Sequence, residues 1–441
     1  LIDCDPKFVI QAYNWALSLK ETGTTATPFI CSVEGAISDA QAQTFESIGV
    51  HVSDVKRFGE RHAAYCNKIS QLFVDEVIDC DWLILSDADI GFLAPPERMI
   101  DGAPLRAKPV DLPSPSANAI DEWLRKIGLS WFGDAEASFP RLSEPTQRLT
   151  LAHNYNGGIY VMRHDCIREL RKTWADYARS LLSVASPEAK SSVHADQIAF
   201  ACTVRELGLH VSELGLCWNF PVHLDERHYA ALKERPELLA LHYHKRMDNH
   251  GVPETIGVRW IDEAIIELRK RIVTGRQNKF DNEIFWNYRY RYFPQLGSGL
   301  GSRGTALAQK KRITAPAFAE MAGCSVIDVG CGDLEFIRNE SFGDYLGLDV
   351  SEQAISTAKA KQPTWSFRTD RSETIEDNSF DFALCMDVLI HQPSNGAAVA
   401  LVDELIRVAR KGVVLSIHAN QKTNSGISFN TFTLRNYIAK H

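Results

Sequence analysis

None of the ten cysteines is separated from another by two residues. Cys-x-x-Cys spacing marks thioredoxin-like redox sites and zinc ribbons, so neither is expected. Cys66, Cys202, Cys217 and Cys385 lie inside apolar runs and read as buried free thiols, which suits a reducing, cytoplasmic compartment. No stretch approaches the ~20 apolar residues of a membrane span. Any membrane association is therefore expected to be peripheral. Positive charge is not in excess: 48 Lys and Arg stand against 56 Asp and Glu, a net charge of −8. A nucleic-acid binder relying on bulk positive charge is excluded, and no nucleic-acid partner is expected. No internal repeat is visible, which excludes a solenoid. The chain opens at Leu1 with neither a starting Met nor a signal-like segment, so a fragment of a longer protein is expected.

What is present is the composition of a globular chain, 45% hydrophobic and 24% charged. A length of 441 residues predicts two domains. Helical spacing of apolar residues runs through Phe8–Lys20, Asp39–Ile48 and Ala63–Ile78, with strand-like segments at Pro28–Val33, Val50–Val52 and Trp82–Leu85. Such alternation predicts an α/β layered fold. Pro95–Leu151 loses the regularity and reads as loops with one helix at Ala119–Ile127. A strand at Gly158–Met162 and helices at Asp165–Leu182, Asp196–Leu207 and Trp260–Thr274 follow. The aromatic and basic run Phe280–Phe293 and the glycine-rich run Gly297–Gly304 then precede a second series. Its strands are Ser325–Val329, Tyr345–Leu348, Phe380–Met386 and Val413–Ile417, with helices at Glu352–Lys361 and Ala397–Ala409. The expected domains are 1–278 and 279–441.

Asp87-Ala88-Asp89 directly follows the apolar strand Trp82–Leu85. Two acids at positions i and i+2, at a strand's carboxyl end, can face one ion. Carboxylates suit Mg²⁺ or Mn²⁺, which share their coordination with substrate phosphates. Alone, this pattern is more often a solvated turn. Asp81–Leu93, however, resembles the metal-binding segment of nucleotide-sugar glycosyltransferases of the GT-A fold, and three later segments fall in the matching order. Asn154–Val161 resembles the strand bordering the sugar, His194–Gln197 the Asp-Gln segment beside it, and His242–Arg246 the late histidine of the metal site.

The resemblance covers roughly residues 1–270 and implies a UDP-sugar by preference and a glycan acceptor. Asp87, Asp89 and His244 are its implied metal ligands, with His242 as the alternative to His244. Lys68, Asp87, Asn156 and Gly157 are expected to border the nucleotide sugar. Asp196 and Gln197 are expected at the reacting sugar. Asp196 is a base if the transfer inverts configuration, and Gln197 lies near the anomeric carbon if it retains it, which is favoured.

The segment Val326–Asp333 is an apolar strand running into Gly330-Cys331-Gly332. Glycine lets the backbone approach a ligand closely. Asp349 ends the next strand, seventeen positions beyond Gly332, where an acid can accept from both ribose hydroxyls. That spacing serves nicotinamide dinucleotides and S-adenosylmethionine alike. The wording of Asp328–Asp333, Leu348–Ser351 and Asn378–His391 is similar to class I S-adenosylmethionine-dependent methyltransferases, over about 280–441.

By that resemblance Asp328, Gly330, Gly332 and Asp349 hold the cofactor's amino-acid end and ribose. Asp370 contacts adenine, Asp387 lies at the rim, and His391 is a base if the acceptor is a hydroxyl. Arg289 and Arg291 are candidates to hold an acceptor carboxylate or phosphate. Leu334 and Glu335 stand where a third glycine is usual, so weakened cofactor binding, or a non-catalytic docking module, is an open alternative. The chain ends soon after its last strand, which leaves the expectation of a truncated second domain.

Overall fold

The computed structural model describes residues 1–417, apart from 60, 113, 130–136, 139–149, 152, 185–193, 231, 233, 278 and 370–371. It comprises two compact units. One is Leu1–Met247 with Pro253–Ile272, and the other is Asp248–Val252 with the chain from Val273 onward. The expected boundary at 278/279 lies just past this division. The segment 248–252 joins the second unit because that unit's side chains hold its carbonyls. Arg276 donates to His250 and Gly251, Arg289 to Asn249, and Tyr288 to Asp248.

In the first unit, α1 (Pro6–Lys20) begins where the Asp5 carboxylate caps the Lys7 amide, with proline at the first helical turn. β1 (Phe29–Val33) and β2 (His51–Val55) pair in parallel across α2 (Asp39–Ser47), which a Ser38–Gln41 capping box starts. A four-stranded sheet follows. β3 (Trp82–Ser86) and β5 (Leu105–Pro109) flank β6 (Tyr155–Arg163) antiparallel, and the short β7 (Ser212–Glu213) extends the β5 edge in parallel. β4 (Ile90–Phe92), β8 (Phe220–Pro221) and β9 (Ala240–His242) form a smaller sheet. The unit's other longer helices are α3 (Ala117–Lys126), α4 (His164–Val184) and α5 (Ala195–Glu206), and α6 (Arg259–Arg276) carries the chain across the division at Ile272.

Trp174 of α4, Phe200 of α5 and Tyr160 of β6 are fully buried and meet ring to ring, with centroids 4.4–5.3 Å apart. The Trp174 indole also donates to the Asp196 carbonyl at 2.8 Å, which pins the first turn of α5.

Two local expectations are corrected here. Ala63–Ile78 is not one helix but four short helical pieces, 61–66, 67–70, 71–73 and 75–78. Val74 is extended, and the Asn67 and Lys68 side chains bond inward instead of lining a helix face. The irregular stretch after Pro95 holds β5, whose Arg106 and Lys108 mask its strand character.

The second unit contains α7 (Asn282–Tyr292) and α8 (Gly304–Met321) ahead of a parallel five-stranded sheet. Its strands are β10 (Ser325–Val329), β11 (Asp344–Leu348), β12 (Ser366–Arg368), β13 (Phe380–Cys385) and β14 (Ala409–Leu415). The spatial order is β12-β11-β10-β13-β14, so the winding reverses between β10 and β13. Ligands bind such sheets outside the strands' carboxyl ends at that reversal. α9 (Glu352–Lys361) and α10 (Asn395–Val408) are the connecting helices, each begun by a serine cap. Buried Ile327, Leu346, Ala383, Val402 and Leu405 form one of this unit's apolar clusters.

The glycine-rich run 297–304 is a packed segment, not a flexible linker. Ser298 donates to Asp333, and Arg303 pairs with the same carboxylate. Among the described residues no helix is long and apolar enough to cross a membrane.

Candidate functional site

The carboxyl end of β3 carries Asp87 and Asp89 into two separate groups of side chains. In the first group, the buried Lys68 ammonium lies 3.1 Å from Asp87, 3.1 Å from Asp196 and 2.9 Å from the Gly157 carbonyl. Burial alone pushes a lysine down, but Asp87 and Asp196 hold Lys68 well above its ordinary value. Burial raises Asp196 against the opposing pull of Lys68, because one ammonium serves two carboxylates. Gly157 is needed where it stands. A Cβ there would lie 2.8 Å from the Lys68 nitrogen, 3.3 Å from Asp196 and 3.4 Å from the Gln197 amide. Lys68, Asp87, Gly157, Asp196 and Gln197 are thus brought together, and the Gln197 amide oxygen is buried without a hydrogen-bond partner.

The second group is Asp89 with His242 and His244, one ligand-type atom from each lying within 4.8 Å of the others. His242 Nε2 is 3.3 Å from Asp89 and His244 Nδ1 is 3.6 Å from it. Both histidines join, His242 from the end of β9 and His244 from the turn beyond it, whereas Asp87 belongs to the lysine group. His244 has φ +49, a left-handed conformation that non-glycine residues avoid. Its ring stacks on that of His242 at 3.9 Å. Burial, then the neighbouring His242, drives His244 well below the ordinary histidine value.

A metal fits this donor set on one specific observation. His242 is 3% exposed and its Nε2, facing Asp89, has no hydrogen-bond partner. An orphaned buried nitrogen is costly unless something accepts its lone pair.

Asn156, expected at the sugar, is half-buried; its oxygen accepts from the Gly158 and Asn219 amides and its nitrogen donates to Asp111. Asn219, Asp111, Lys108 and His223 had no signal in the sequence. The His223 ring meets that of His244 at 3.9 Å, and burial and then His242 lower it to about 4.

In the second unit, Gly330 and Gly332 take φ +79 and +55, and Leu334 keeps φ +64 where the sequence has no third glycine. Leu334 thus takes a left-handed conformation itself. Leu334 is buried in the core, and that packing holds the strained backbone. Asp349 accepts from the Gly332 and Ser351 amides, both at 2.9 Å, and burial raises it to about 6. Asp328 is buried behind the loop, accepts from the Tyr345 hydroxyl at 2.9 Å, and is raised by burial to about 7.

Asp387 has φ +62, bonds Ser416 at 2.8 Å and pairs with Lys310 of α8. The His391 ring packs edge-on against Trp286 at 5.2 Å. Arg289 is buried and bound to the Asn249 carbonyl, so it is not poised for an acceptor, while Arg291 is exposed. Asp370 lies outside the described residues. The donor set suits an adenosyl cofactor: an anchored carboxylate at the end of β11, beside a glycine loop at the sheet's reversal.

Comparison with known proteins bears on this unit. Residues 327–417 match the family described as methyltransferase domain. Over 116 residues the chain is 27% identical to the ubiquinone biosynthesis O-methyltransferase of Neisseria meningitidis, covering 24% of this chain and 49% of that protein. It thus spans about half the length of that curated relative.

Among solved structures, magnesium protoporphyrin IX methyltransferase from Synechocystis is 24% identical, with a TM-score of 0.22, over 25% of this chain and 54% of that one. The N-methyltransferase NodS from Bradyrhizobium japonicum is 15% identical, with a TM-score of 0.23, over 25% of this chain and 60% of that one. The second unit carries a class I S-adenosylmethionine-dependent methyltransferase domain with a Rossmann-like fold.

Proposed function

We propose that the chain joins two transferases: a metal-dependent glycosyltransferase of GT-A type and an S-adenosylmethionine-dependent methyltransferase, acting on a glycan. The observation that carries the first is the Asp89–His242–His244 group with its orphaned nitrogen, at the end of the strand that also carries Asp87. These three residues would hold Mn²⁺ or Mg²⁺, with two imidazoles favouring Mn²⁺. Such an ion, when bound, neutralises the leaving diphosphate of a nucleotide sugar, UDP-linked by preference.

Asp87 is a third exposed and reaches the nucleotide side, and Lys68 adds fixed positive charge beside it. Asp196 is tied to Lys68 and only 2% exposed, which favours a positioning role over that of a base. Gln197, with its unpartnered oxygen, then borders the sugar, in keeping with retention of configuration.

For the second unit, Asp349 binds the cofactor ribose, and Gly330 and Gly332 let the loop approach the cofactor's amino-acid end. Asp328 supports that loop, and Asp387 lies at its rim. The cofactor supplies an activated methyl group, and the protein's part is to align it with the acceptor. His391 serves as the base if that acceptor is a hydroxyl.

Calorimetry with S-adenosylhomocysteine tests this reading. Binding to the wild-type chain and a loss of at least about tenfold in Asp349→Ala are expected, since two hydrogen bonds to a charged group disappear. Absence of binding at saturating ligand, or binding of NAD in its place, would overturn it.

A further inference from the structure

We infer that Asn219 is a positioning residue that sets the tautomer of His242, through a chain of hydrogen bonds that converges on Asp111. The inference rests on the metal reading of Asp89, His242 and His244 given above.

The chain is anchored at Asp111, whose oxygens accept from both sides. Lys108, 3% exposed, gives hydrogen bonds to both oxygens of Asp111 at 2.6 and 2.7 Å and to the Asn219 carbonyl at 2.7 Å. Asp111 then accepts from the Asn156 amide nitrogen at 3.1 Å. A backbone donor fixes the same orientation of Asn156, because the Gly158 N–H points at its oxygen from 2.9 Å. That oxygen also accepts from the Asn219 amide nitrogen at 3.0 Å. Asn219 therefore turns its own oxygen toward His242, 2.8 Å from Nδ1.

An amide oxygen accepts and cannot donate. Nδ1 must then carry the proton, and Nε2 of the neutral ring must present its lone pair toward Asp89. Reversing Asn156 would set donor against donor at Gly158 and acceptor against acceptor at Asp111, and reversing Asn219 would set its oxygen against that of Asn156. A histidine's free nitrogen is set by the hydrogen bond its other nitrogen makes. The order along the chain is thus lysine to carboxylate, two amides, imidazole, open lone pair.

Backbone features hold the chain in place. Asn219 has φ +54, a region asparagine tolerates better than most residues, and is fully buried. Gly158 leaves room for it, since a Cβ there would lie 2.7 Å from both amide atoms of Asn219.

The test uses the full chain and two readouts. Long-range ¹H–¹⁵N correlation of the histidine rings, without metal and at mildly alkaline pH, reports the tautomer directly. The Nδ1–H form of His242 is expected, and the Nε2–H form would overturn the inference. This readout stands whether or not the metal reading holds.

Mn²⁺ titration by calorimetry compares the wild type with Asn219→Gly, which keeps the positive φ but removes the amide. A loss of affinity of about ten- to a hundredfold is expected, together with a mixed His242 tautomer. Affinity within twofold of wild type in the folded variant would overturn the positioning role. If Asn219→Gly does not fold, the wild-type tautomer decides. If the wild type shows the Nδ1–H tautomer yet binds no Mn²⁺, the metal reading fails and the tautomer assignment stands.

Discussion

Removing the Lys68 ammonium should expose how the first group of side chains is held. Lys68→Met keeps the aliphatic stem and deletes the charge. The ammonium has three partners within 3.1 Å, and its side chain is 11% exposed. The Asp196 side chain is 3% exposed, so its carboxylate has almost no access to compensating water. Breaking a buried ion pair by deleting one partner costs about 3–5 kcal/mol, whereas an exposed pair is worth about 0–1.

Asp87 is a third exposed and contributes little to the loss, so Asp196 sets the scale. The expected loss is therefore about 3 kcal/mol at neutral pH, in urea unfolding of the first unit. Burial already raises the Asp196 carboxyl, and without the lysine it rises further. A raised folded-state value favours the protonated native form, so the deficit should shrink as the pH falls toward 4. Adding Asp196→Asn to Lys68→Met should recover most of the loss, since the pair is then neutral on both sides. A deficit below about 1 kcal/mol that is unchanged by pH would refute the reasoning and return Lys68 to the class of solvated lysines.

Other expectations concern the second unit and the relay. Asp328 is raised from its ordinary 3.8 to about 7, so its contribution is present below pH 3.8 and lost as the pH rises through 7. Asp328→Asn should stabilise the second unit's thermal transition at neutral pH, by at most about 4 kcal/mol, and leave it unchanged near pH 4. Leu334→Gly relieves a left-handed backbone worth about 1–2 kcal/mol but deletes a buried leucine worth more, so chemical denaturation should show a net loss of about 1–3 kcal/mol. Gly158→Ala should cost about 1–3 kcal/mol by forcing a methyl group against Asn219, and weaken Mn²⁺ binding with it.

Much of this was legible in residue patterns. Apolar runs marked β3, β11 and β13, and acids at their ends marked Asp87 and Asp89, Asp349, and Asp387. The sequence offered His242 only as an alternative to His244, and the structure brings both to Asp89. Charge hid what burial later revealed. Lys108 sits 3% exposed in β5, and Arg289 is buried in a helix that reads as basic and solvated. Asn219 was illegible because its role depends on partners 63 and 23 positions away, which only the fold brings together. At Leu334 a missing glycine suggested a weakened loop, and what the sequence did not show is that this leucine is buried in the core in a left-handed conformation.

The most direct test of the glycosyltransferase reading is nucleoside diphosphate release from a panel of nucleotide sugars. It is run with Mn²⁺ or with chelator, beside an Asp89→Asn variant. The account predicts release from one donor that requires the ion and is lost in the variant. Release that proceeds equally in chelator, or in Asp89→Asn, would contradict it.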